Sequence, residues 1–367
     1  MKLQSVKGIL EQGPVQASAP CRVDAGGTWD IKALSIPLEA FDPATLNIAL
    51  DLRTTVELAP FTDGWVKVSS TGVGPGGEAY PLEAATFAPP LGIFFAAVSW
   101  FAFHGLEVRI RSASPVRAAL GGSSTALTAL IKALAELRAA LGGGRLSRKD
   151  ILLFGYHLED GLSGGFCGMQ DQAAAVYGGV NLWRWRYGRS GRPFLQERLL
   201  DAKGRRALSE RLLVAHSGLV HDSGRINRRW VEAFMAGGAR EAWVEANRAV
   251  HELACAIRSL DWNRAAQCLR RETSIRQRLT PEAFLPVTKA LIEAAEEEEC
   301  GARFAGAGGG GAVWALGPRA GIRGLRKRWE GMLSSIPGGE ILECAPDGAG
   351  AAVKAGLRPS RSLSGNR

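Results

Sequence analysis

The stretch that most constrains the fold is residues 115–141, where a glycine- and serine-rich loop runs directly into an amphipathic helix. Beyond Thr125, leucines recur every three or four positions and charged residues fall between them, which predicts a helix with one face on a core. We expect this helix to begin at the serines, with Ser123 or Ser124 as its N-cap. Gly121 and Gly122 would allow a sharp turn and a close approach of the backbone to a ligand.

The start of this helix suits a phosphate group. Its first amides have no partner inside the helix, and the positive end of the helix dipole lies behind them. The loop is not a Walker P-loop, because no Gly-Lys-Ser/Thr follows. An ordinary helix cap after a turn has the same composition, so the loop alone leaves both interpretations open.

Length and composition indicate a folded protein of two domains. The chain has 367 residues, of which 46% are hydrophobic, and one core rarely serves a chain of this length. The most apolar run, residues 91–103, is too short to span a membrane. No apolar signal region begins the chain, so we expect a cytoplasmic protein without a membrane partner. The six cysteines are scattered, which is typical of free thiols in a reducing compartment.

The net charge of +9 does not indicate a nucleic-acid partner. Lysine and arginine are spread along the whole chain, and no nucleic-acid-binding signature is present. The excess charge is typical of a solvated surface, and it would raise the rate of encounter with anionic substrates such as nucleotides.

The remaining patterns predict an α/β layer followed by a second domain. Strands are predicted at residues 15–24, 46–58, 65–69, 106–112 and 212–216. Helices are predicted at residues 148–159, 226–236, 241–259, 262–273 and 281–299. We place the domain boundary near residue 205, giving domains 1–205 and 206–356. The polar tail at 357–367 is predicted to be disordered.

Four motifs carry a resemblance to a known family. They are APCRVDAGGTWD at residues 19–30, the loop and helix start at 115–126, CGMQDQ at 167–172 and the glycine run at 306–311. Their order and spacing resemble the GHMP kinase superfamily, small-molecule kinases that include galactokinase and mevalonate kinase. The first two motifs are most similar to fucokinases and D-glycero-D-manno-heptose 7-phosphate kinases, which phosphorylate an anomeric hydroxyl. Ala119 stands where these relatives have the first glycine of the loop.

The resemblance implies both a fold and an activity. The fold would be an N-terminal α/β domain with a mixed sheet and a glycine-rich phosphate loop, followed by a C-terminal ferredoxin-like α+β domain, with the active site between them. The activity would be transfer of the γ-phosphoryl group of ATP, with Mg²⁺, to a hydroxyl of a sugar or sugar phosphate. We expect a monomer or a homodimer.

The resemblance also assigns residues to this chemistry. Asp171 would be the general base, and Arg22 would favour its ionised form and compensate charge on the transferred group. Ser123 and Glu159 would bind Mg²⁺, which prefers oxygen ligands and keeps several waters. The nucleotide phosphates would contact Leu120, Gly121, Gly122, Ser123, Ser124 and Thr125. The acceptor would contact Asp24, Gly26, Gly27, Thr28, Asp30, Gly308 and Gly309.

Two other functions share this fold. A non-catalytic sugar or nucleotide sensor would need no base and metal ligands together, so Asp171, Ser123 and Glu159 together argue against it. A kinase for an isoprenoid or amino-acid alcohol would keep the chemistry and change the acceptor pocket. A polar patch of His216, His221 and Ser223 could reach a substrate or form a strand-end turn. The run at 306–311 could equally be a flexible hairpin turn.

Overall fold

The computed structural model describes residues 3–72, 74, 76–188, 191–220 and 223–355. The tail predicted to be disordered, 357–367, lies outside them. The strands are β1 Gln4–Ser5, β2 Val15–Ala25, β3 Ala44–Pro60, β4 Trp65–Ser70, β5 Glu78–Pro81, β6 Phe103–His104, β7 Leu106–Ser112, β8 Val180–Trp185, β9 Phe194–Arg198, β10 Leu212–Ser217, β11 Gly301–Phe304, β12 Ala312–Leu316, β13 Gly339–Ile341 and β14 Ala352–Ala355. The helices are α1 Lys7–Leu10, α2 Lys32–Ser35, α3 Gly92–Phe101, α4 Gly122–Ala140, α5 Arg148–Leu162, α6 Gln170–Tyr177, α7 Ala202–Ser209, α8 Ser223–Met235, α9 Arg240–Arg258, α10 Trp262–Leu279, α11 Pro286–Glu297 and α12 Arg319–Leu333.

The larger sheet is built around the long strand β3. Strand β2 pairs with it in antiparallel register, from Val15 opposite Leu58 to Ala25 opposite Leu46. Strand β7 continues the sheet along one half of β3, and β8 pairs with the other half. Strand β4 runs parallel to β7, which makes the sheet mixed. Helix α4 packs across β2 and β3, and its apolar stripe is buried there as its periodicity predicts.

The second sheet has the strand order β11-β12-β10-β13, with every pairing antiparallel. Along the chain, its strands and helices follow the β-α-β-β-α-β pattern of ferredoxin-like domains. The prediction of a two-domain fold with a mixed N-terminal sheet and a ferredoxin-like C-terminal part is therefore confirmed.

The last described strand does not stay with the second sheet. Strand β14 pairs antiparallel with β2, with Ala352 opposite Ser18. The segment before it also bonds to β3, where the Asp51 amide donates to the Ala345 carbonyl over 3.0 Å. The boundary near residue 205 stays a prediction, but the end of the predicted second domain lies in the first sheet.

The helix predicted at residues 281–299 is shorter than expected. A 3₁₀ turn occupies Pro281–Ala283, and α11 begins only at Pro286. Proline has a fixed φ and no amide hydrogen, so it suits the first helical position and interrupts a longer helix. Among the described helices, none combines the length and hydrophobicity needed to cross a membrane.

Candidate active site

A cavity of about 780 Å³ lies where the loop before α4, the turn after β2 and the start of α6 meet. Its wall includes Arg22, Thr28, Asp30, residues 114–124, Glu159, Cys167, Gly168, Gln170, Asp171, Asn227, Trp230, Gly306 and Ala307. A further part of the wall is apolar and consists of Pro89, Pro90, Phe94 and Ile110. The cavity thus combines an apolar wall with carboxylates, hydroxyls and a helix start.

The prediction that Ser123 or Ser124 caps α4 is wrong. The N-cap is Gly121, which adopts a left-handed conformation with φ of 76°, and no side chain accepts a capping hydrogen bond. Left-handed backbone favours glycine, so the helix begins one residue before the serines. Thr125 is buried behind the wall, where its hydroxyl donates to the Gly121 carbonyl over 2.8 Å. Residues 122–124 line the cavity, and their amides have no acceptor within the helix, so this helix start suits an anion.

The loop before α4 is held in a strained conformation. Ala119 has φ of 62°, which costs an L-residue energy. Its carbonyl accepts a hydrogen bond of 2.7 Å from Arg22 Nη1, and the Arg22 amide donates to the Leu120 carbonyl over 3.1 Å. From the other side, the Ala312 amide donates to the Ala118 carbonyl over 2.8 Å. Both domains therefore fix the loop.

We expect Ala119→Gly to stabilise the protein by about 0.5–1 kcal/mol, because glycine adopts this backbone conformation without the steric cost of a Cβ. The free energy of unfolding in urea measures the effect. Ala118→Gly is the matched control, since Ala118 is not among the residues with positive φ, and we expect it to destabilise. Equal destabilisation by both changes would contradict the assignment of strain to Ala119.

Asp171 and Arg22 form an ion pair in the cavity. Arg22 Nε and Nη2 each lie 2.7 Å from Asp171 Oδ1, and the Asp171 side chain keeps 23% of its exposure. Burial raises the pKa of Asp171, while the Arg22 charge lowers it, and the net direction is upward. Arg22 was expected to make the carboxylate more acidic, and desolvation outweighs it. A Cβ on Gly121 would lie 3.1 Å from Asp171 Cγ, so the helix start and the carboxylate are adjacent.

Asp30 and Thr28 form a second polar region of the wall. The Asp30 carboxylate is buried and accepts from the amides of Thr28 and Gln170, each over 3.1 Å. Burial raises the pKa of Asp30 to about 7, although the hydrogen bond from the Gln170 amide lowers it. At neutral pH this carboxyl group can therefore either donate to or accept from a ligand hydroxyl.

Three residues predicted to contact the acceptor lie outside the cavity wall: Asp24, Gly26 and Gly27. Asp24 has no exposed surface. Its Oδ1 accepts from the Gly306 amide over 2.6 Å, and its Oδ2 lies 3.2 Å from Arg303 Nη1. Because these partners occupy its carboxylate, Asp24 joins the motif at residues 19–30 to the second domain.

Gly308 and Gly309 also lie outside the wall, although they were predicted to contact the acceptor. A Cβ on either would collide with Ala283 or Ile226, so these glycines allow close packing inside the second domain. Gly306 does line the cavity, and a Cβ there would come within 3.1 Å of a carbonyl oxygen of the loop before α4. The glycine run therefore lets the two domains approach each other at the loop.

Glu159 lies beside the two serines at the helix start. Its Oε2 accepts from Ser124 Oγ over 2.6 Å and from Gln172 Nε2 over 2.5 Å. Burial raises the pKa of Glu159 to about 7, the bond from Ser124 lowers it, and the charge of Asp171 raises it. Ser123 also lowers this pKa. Hard oxygen donors of this kind fit Mg²⁺.

Among the described residues, no group of three or more histidine, cysteine or acidic side chains could hold a metal ion. A cation here would take one carboxylate and hydroxyl oxygens from the protein and the rest from phosphate and water, which is how Mg²⁺ usually binds with nucleotides.

Of the predicted polar patch, the structure describes the side chain of His216, which is not part of the cavity wall. His216 is buried in β10, where its Nδ1 lies 3.0 Å from the Gly338 carbonyl oxygen. His221 lies outside the described residues, and Ser223 is the first residue of α8. The placement of His216 agrees with a strand-end turn.

A buried charge network behind the cavity was not predicted. Arg303 Nε lies 3.0 Å from Glu272, Arg276 Nε lies 2.9 Å from the same carboxylate, and Arg303 also contacts Asp24. All four side chains have no exposed surface. The only sequence signal was the spacing of four residues between Glu272 and Arg276, but the predicted helix ended at residue 273, and such a spacing on a helix ordinarily indicates a surface pair.

Comparison with protein families matches residues 87–179 to the model described as the GHMP kinases N terminal domain. These residues span the loop before α4, the helix itself, Glu159 and Asp171. The chain has the GHMP kinase fold. The predicted resemblance to the GHMP kinase superfamily is therefore confirmed. The closer likeness to fucokinases and heptose 7-phosphate kinases stays a prediction.

Solved structures with the GHMP kinase fold cover nearly the whole chain at low identity. A D-glycero-D-manno-heptose 1-phosphate kinase from Bacteroides thetaiotaomicron is 15% identical, with a TM-score of 0.69 over 93% of this chain and 99% of that one. Lactococcus lactis galactokinase in complex with galactose is 15% identical, with a TM-score of 0.69 over 92% and 95%. Streptococcus pneumoniae phosphomevalonate kinase, in complex with phosphomevalonate and AMPPNP, is 14% identical, with a TM-score of 0.70 over 91% and 100%. Comparison with curated protein sequences finds no match.

Proposed function

We propose that the chain is an ATP- and Mg²⁺-dependent kinase that phosphorylates a hydroxyl, the anomeric one, of a sugar or sugar phosphate. One observation carries this proposal: the Asp171 carboxylate lies beside the start of α4 in a cavity that also holds Glu159. A phosphoryl-transfer site needs a phosphate-binding helix start, a metal carboxylate and a base close together. A sensor needs no such combination.

Asp171 is the proposed base. It accepts the proton of the acceptor hydroxyl as that oxygen bonds to the γ-phosphorus of ATP, the bond from this phosphorus to the bridging oxygen breaks, and ADP leaves. A base is most effective when its pKa approaches the working pH, and the raised pKa of Asp171 moves it in that direction. Arg22 holds the carboxylate in place and compensates negative charge on the transferred group.

Glu159, with Ser123 and Ser124, would hold Mg²⁺, which neutralises charge on the nucleotide phosphates when bound. The amides at the start of α4 would bind those phosphates, and the apolar wall with Phe94 would accommodate the adenine ring of ATP.

The acceptor region favours a polyol. Thr28, Asp30, Gln170 and Asn227 all line this part of the wall. Polar groups in the wall can hydrogen-bond the hydroxyls of a polyol. They disfavour a substrate with an apolar chain, because a buried polar group left without a partner costs free energy. The likeness of the first two motifs to fucokinases and heptose 7-phosphate kinases supports the anomeric hydroxyl.

A coupled ADP-release assay tests the proposal. Purified protein with Mg·ATP is offered free hexoses, a heptose 7-phosphate and mevalonate as a non-sugar alcohol. We expect turnover with a sugar or sugar phosphate. Turnover with mevalonate alone would overturn the acceptor class, and absence of both turnover and Mg·ATP binding by calorimetry would overturn the kinase itself.

The affinity for Mg·ATP should depend on pH. The pKa of Glu159 is about 7 without metal, and a metal binds the carboxylate only after its proton has left. Affinity should therefore rise between pH 6 and pH 8 and fall up to about tenfold per unit below pH 7. Calorimetry in two buffers of different ionisation enthalpy measures the released proton. Glu159→Gln should weaken binding at pH 8 and flatten the profile; an unchanged slope in that variant would refute the role of Glu159.

A further inference from the structure

The turn after β2, residues 26–30, is strained where it meets the cavity. We call it the acceptor loop. Thr28 has φ of 93°, a conformation that L-residues rarely adopt. Such a conformation costs about 1–3 kcal/mol and persists only where the surroundings enforce it. Thr28 and Asp30 of this loop line the cavity, so whatever enforces the conformation also sets the position of both side chains.

Arg276, in helix α10 of the second domain, forms two hydrogen bonds to the acceptor loop. Its Nη2 donates to the Gly27 carbonyl over 2.5 Å, and its Nη1 donates to Thr28 Oγ1 over 3.1 Å. Its Nε donates to Glu272 over 2.9 Å. The guanidinium has no exposed surface, and three of its nitrogens point to three different acceptors.

Two tryptophan rings pack against the Arg276 guanidinium. The Arg276 guanidinium carbon lies 4.7 Å from the ring centroid of Trp243 and 5.5 Å from that of Trp230. Trp243 also contacts Trp29 of the acceptor loop edge to face, with centroids 6.2 Å apart. A planar cation suits such rings, whereas an ammonium group cannot reach three divergent acceptors at once.

We infer that Arg276 is a positioning residue that sets acceptor specificity from the second domain. The inference deepens the proposed kinase function and rests on it for its kinetic consequence. Arg276 is not part of the cavity wall, so it acts through Thr28 and Asp30. The nucleotide phosphate loop, residues 115–124, is held by Arg22 and Ala312 instead. Loss of the Arg276 contacts should therefore affect the acceptor and spare Mg·ATP.

Arg276→Lys is the test variant, because it keeps the buried positive charge beside Glu272. Arg53→Lys is the matched control: Arg53 also bridges distant segments, through Ser18 and the Gly350 carbonyl, but it is not in the cavity wall. Hydrogen–deuterium exchange of peptides covering residues 26–30 is measured for both variants, together with steady-state kinetics and the affinity for Mg·ATP.

We expect Arg276→Lys to raise amide exchange in 26–30 by tenfold or more, to lower kcat/KM for the acceptor by about 10–100-fold and to leave the Mg·ATP dissociation constant within about twofold. Arg53→Lys should change none of these three. Unchanged exchange in 26–30, or an equal loss of acceptor and nucleotide binding, would overturn the inference.

A second variant covers the case in which Arg276→Lys does not fold. Thr28→Val removes the hydroxyl that accepts from Arg276 and should also raise exchange in 26–30, by a smaller factor. Unchanged exchange there would count against the inference. Should the wild-type protein turn over no acceptor, the proposed function fails, and the exchange result alone decides the role of Arg276.

Discussion

Asp171→Asn is expected to lower kcat by about 10²–10⁴-fold, the usual contribution of a general base. Asparagine keeps the shape of the side chain and cannot take the hydroxyl proton. Arg22 retains an acceptor in the amide oxygen, so the loop before α4 should stay in place. The measurement is the ADP-release rate with saturating acceptor, alongside the dissociation constant for Mg·ATP, which we expect to change by less than tenfold.

Asp150→Asn is the control for this substitution. Asp150 lies in the first turn of α5, where it accepts from the Ser147 amide in an exposed capping box. We expect full activity from that variant and a small loss of stability. Normal turnover by Asp171→Asn would refute its role as base, whereas a joint loss of turnover and nucleotide binding would mean that the side chain serves binding instead.

Arg303→Met should be the most destabilising of the substitutions considered, by about 3–5 kcal/mol. Arg303 contacts both Glu272 and Asp24, and all three side chains are fully buried. Its removal leaves the fully buried Asp24 carboxylate with less compensation for its charge, and a buried charge that lacks a partner costs free energy. Urea unfolding, followed by tryptophan fluorescence, gives the free energy of unfolding.

Arg326→Met provides the comparison. Arg326 pairs with Glu343 at the surface, where that carboxylate keeps 76% of its exposure, and surface pairs contribute about 0–1 kcal/mol. We therefore expect a clear separation between the two variants. Equal losses would show that the buried network contributes no more than a surface ion pair.

Local patterns predicted the parts of the site that depend on neighbouring residues. The glycines and the leucine stripe of 115–141 predicted the loop and α4, and β7 spans the predicted residues, Leu106–Ser112. Local patterns did not resolve the cap, because Gly121 and the two serines are all acceptable N-caps by composition. The left-handed backbone at Gly121 depends on the loop before it, which contacts both domains.

Long-range partners explain what sequence reasoning missed. Asp24 was predicted to contact the acceptor, but Arg303, 279 residues further on, occupies its carboxylate. Arg276 reaches Thr28 from 248 residues away. No sequence periodicity links positions so far apart. In sequence, a buried ion pair such as Glu272 and Arg276 has the same four-residue spacing as an exposed ion pair on a helix. The fold of the second domain could be expected only through the family resemblance.

The pairing of β14 with β2 has a consequence for biosynthesis. A ribosome makes β14 more than three hundred residues after β2. At about 5–20 residues per second, the edge of β2 stays without this neighbour for some tens of seconds, and an unpaired strand edge is a template for pairing with other chains. The larger sheet is therefore completed only after β13, the last strand of the second sheet, has been made.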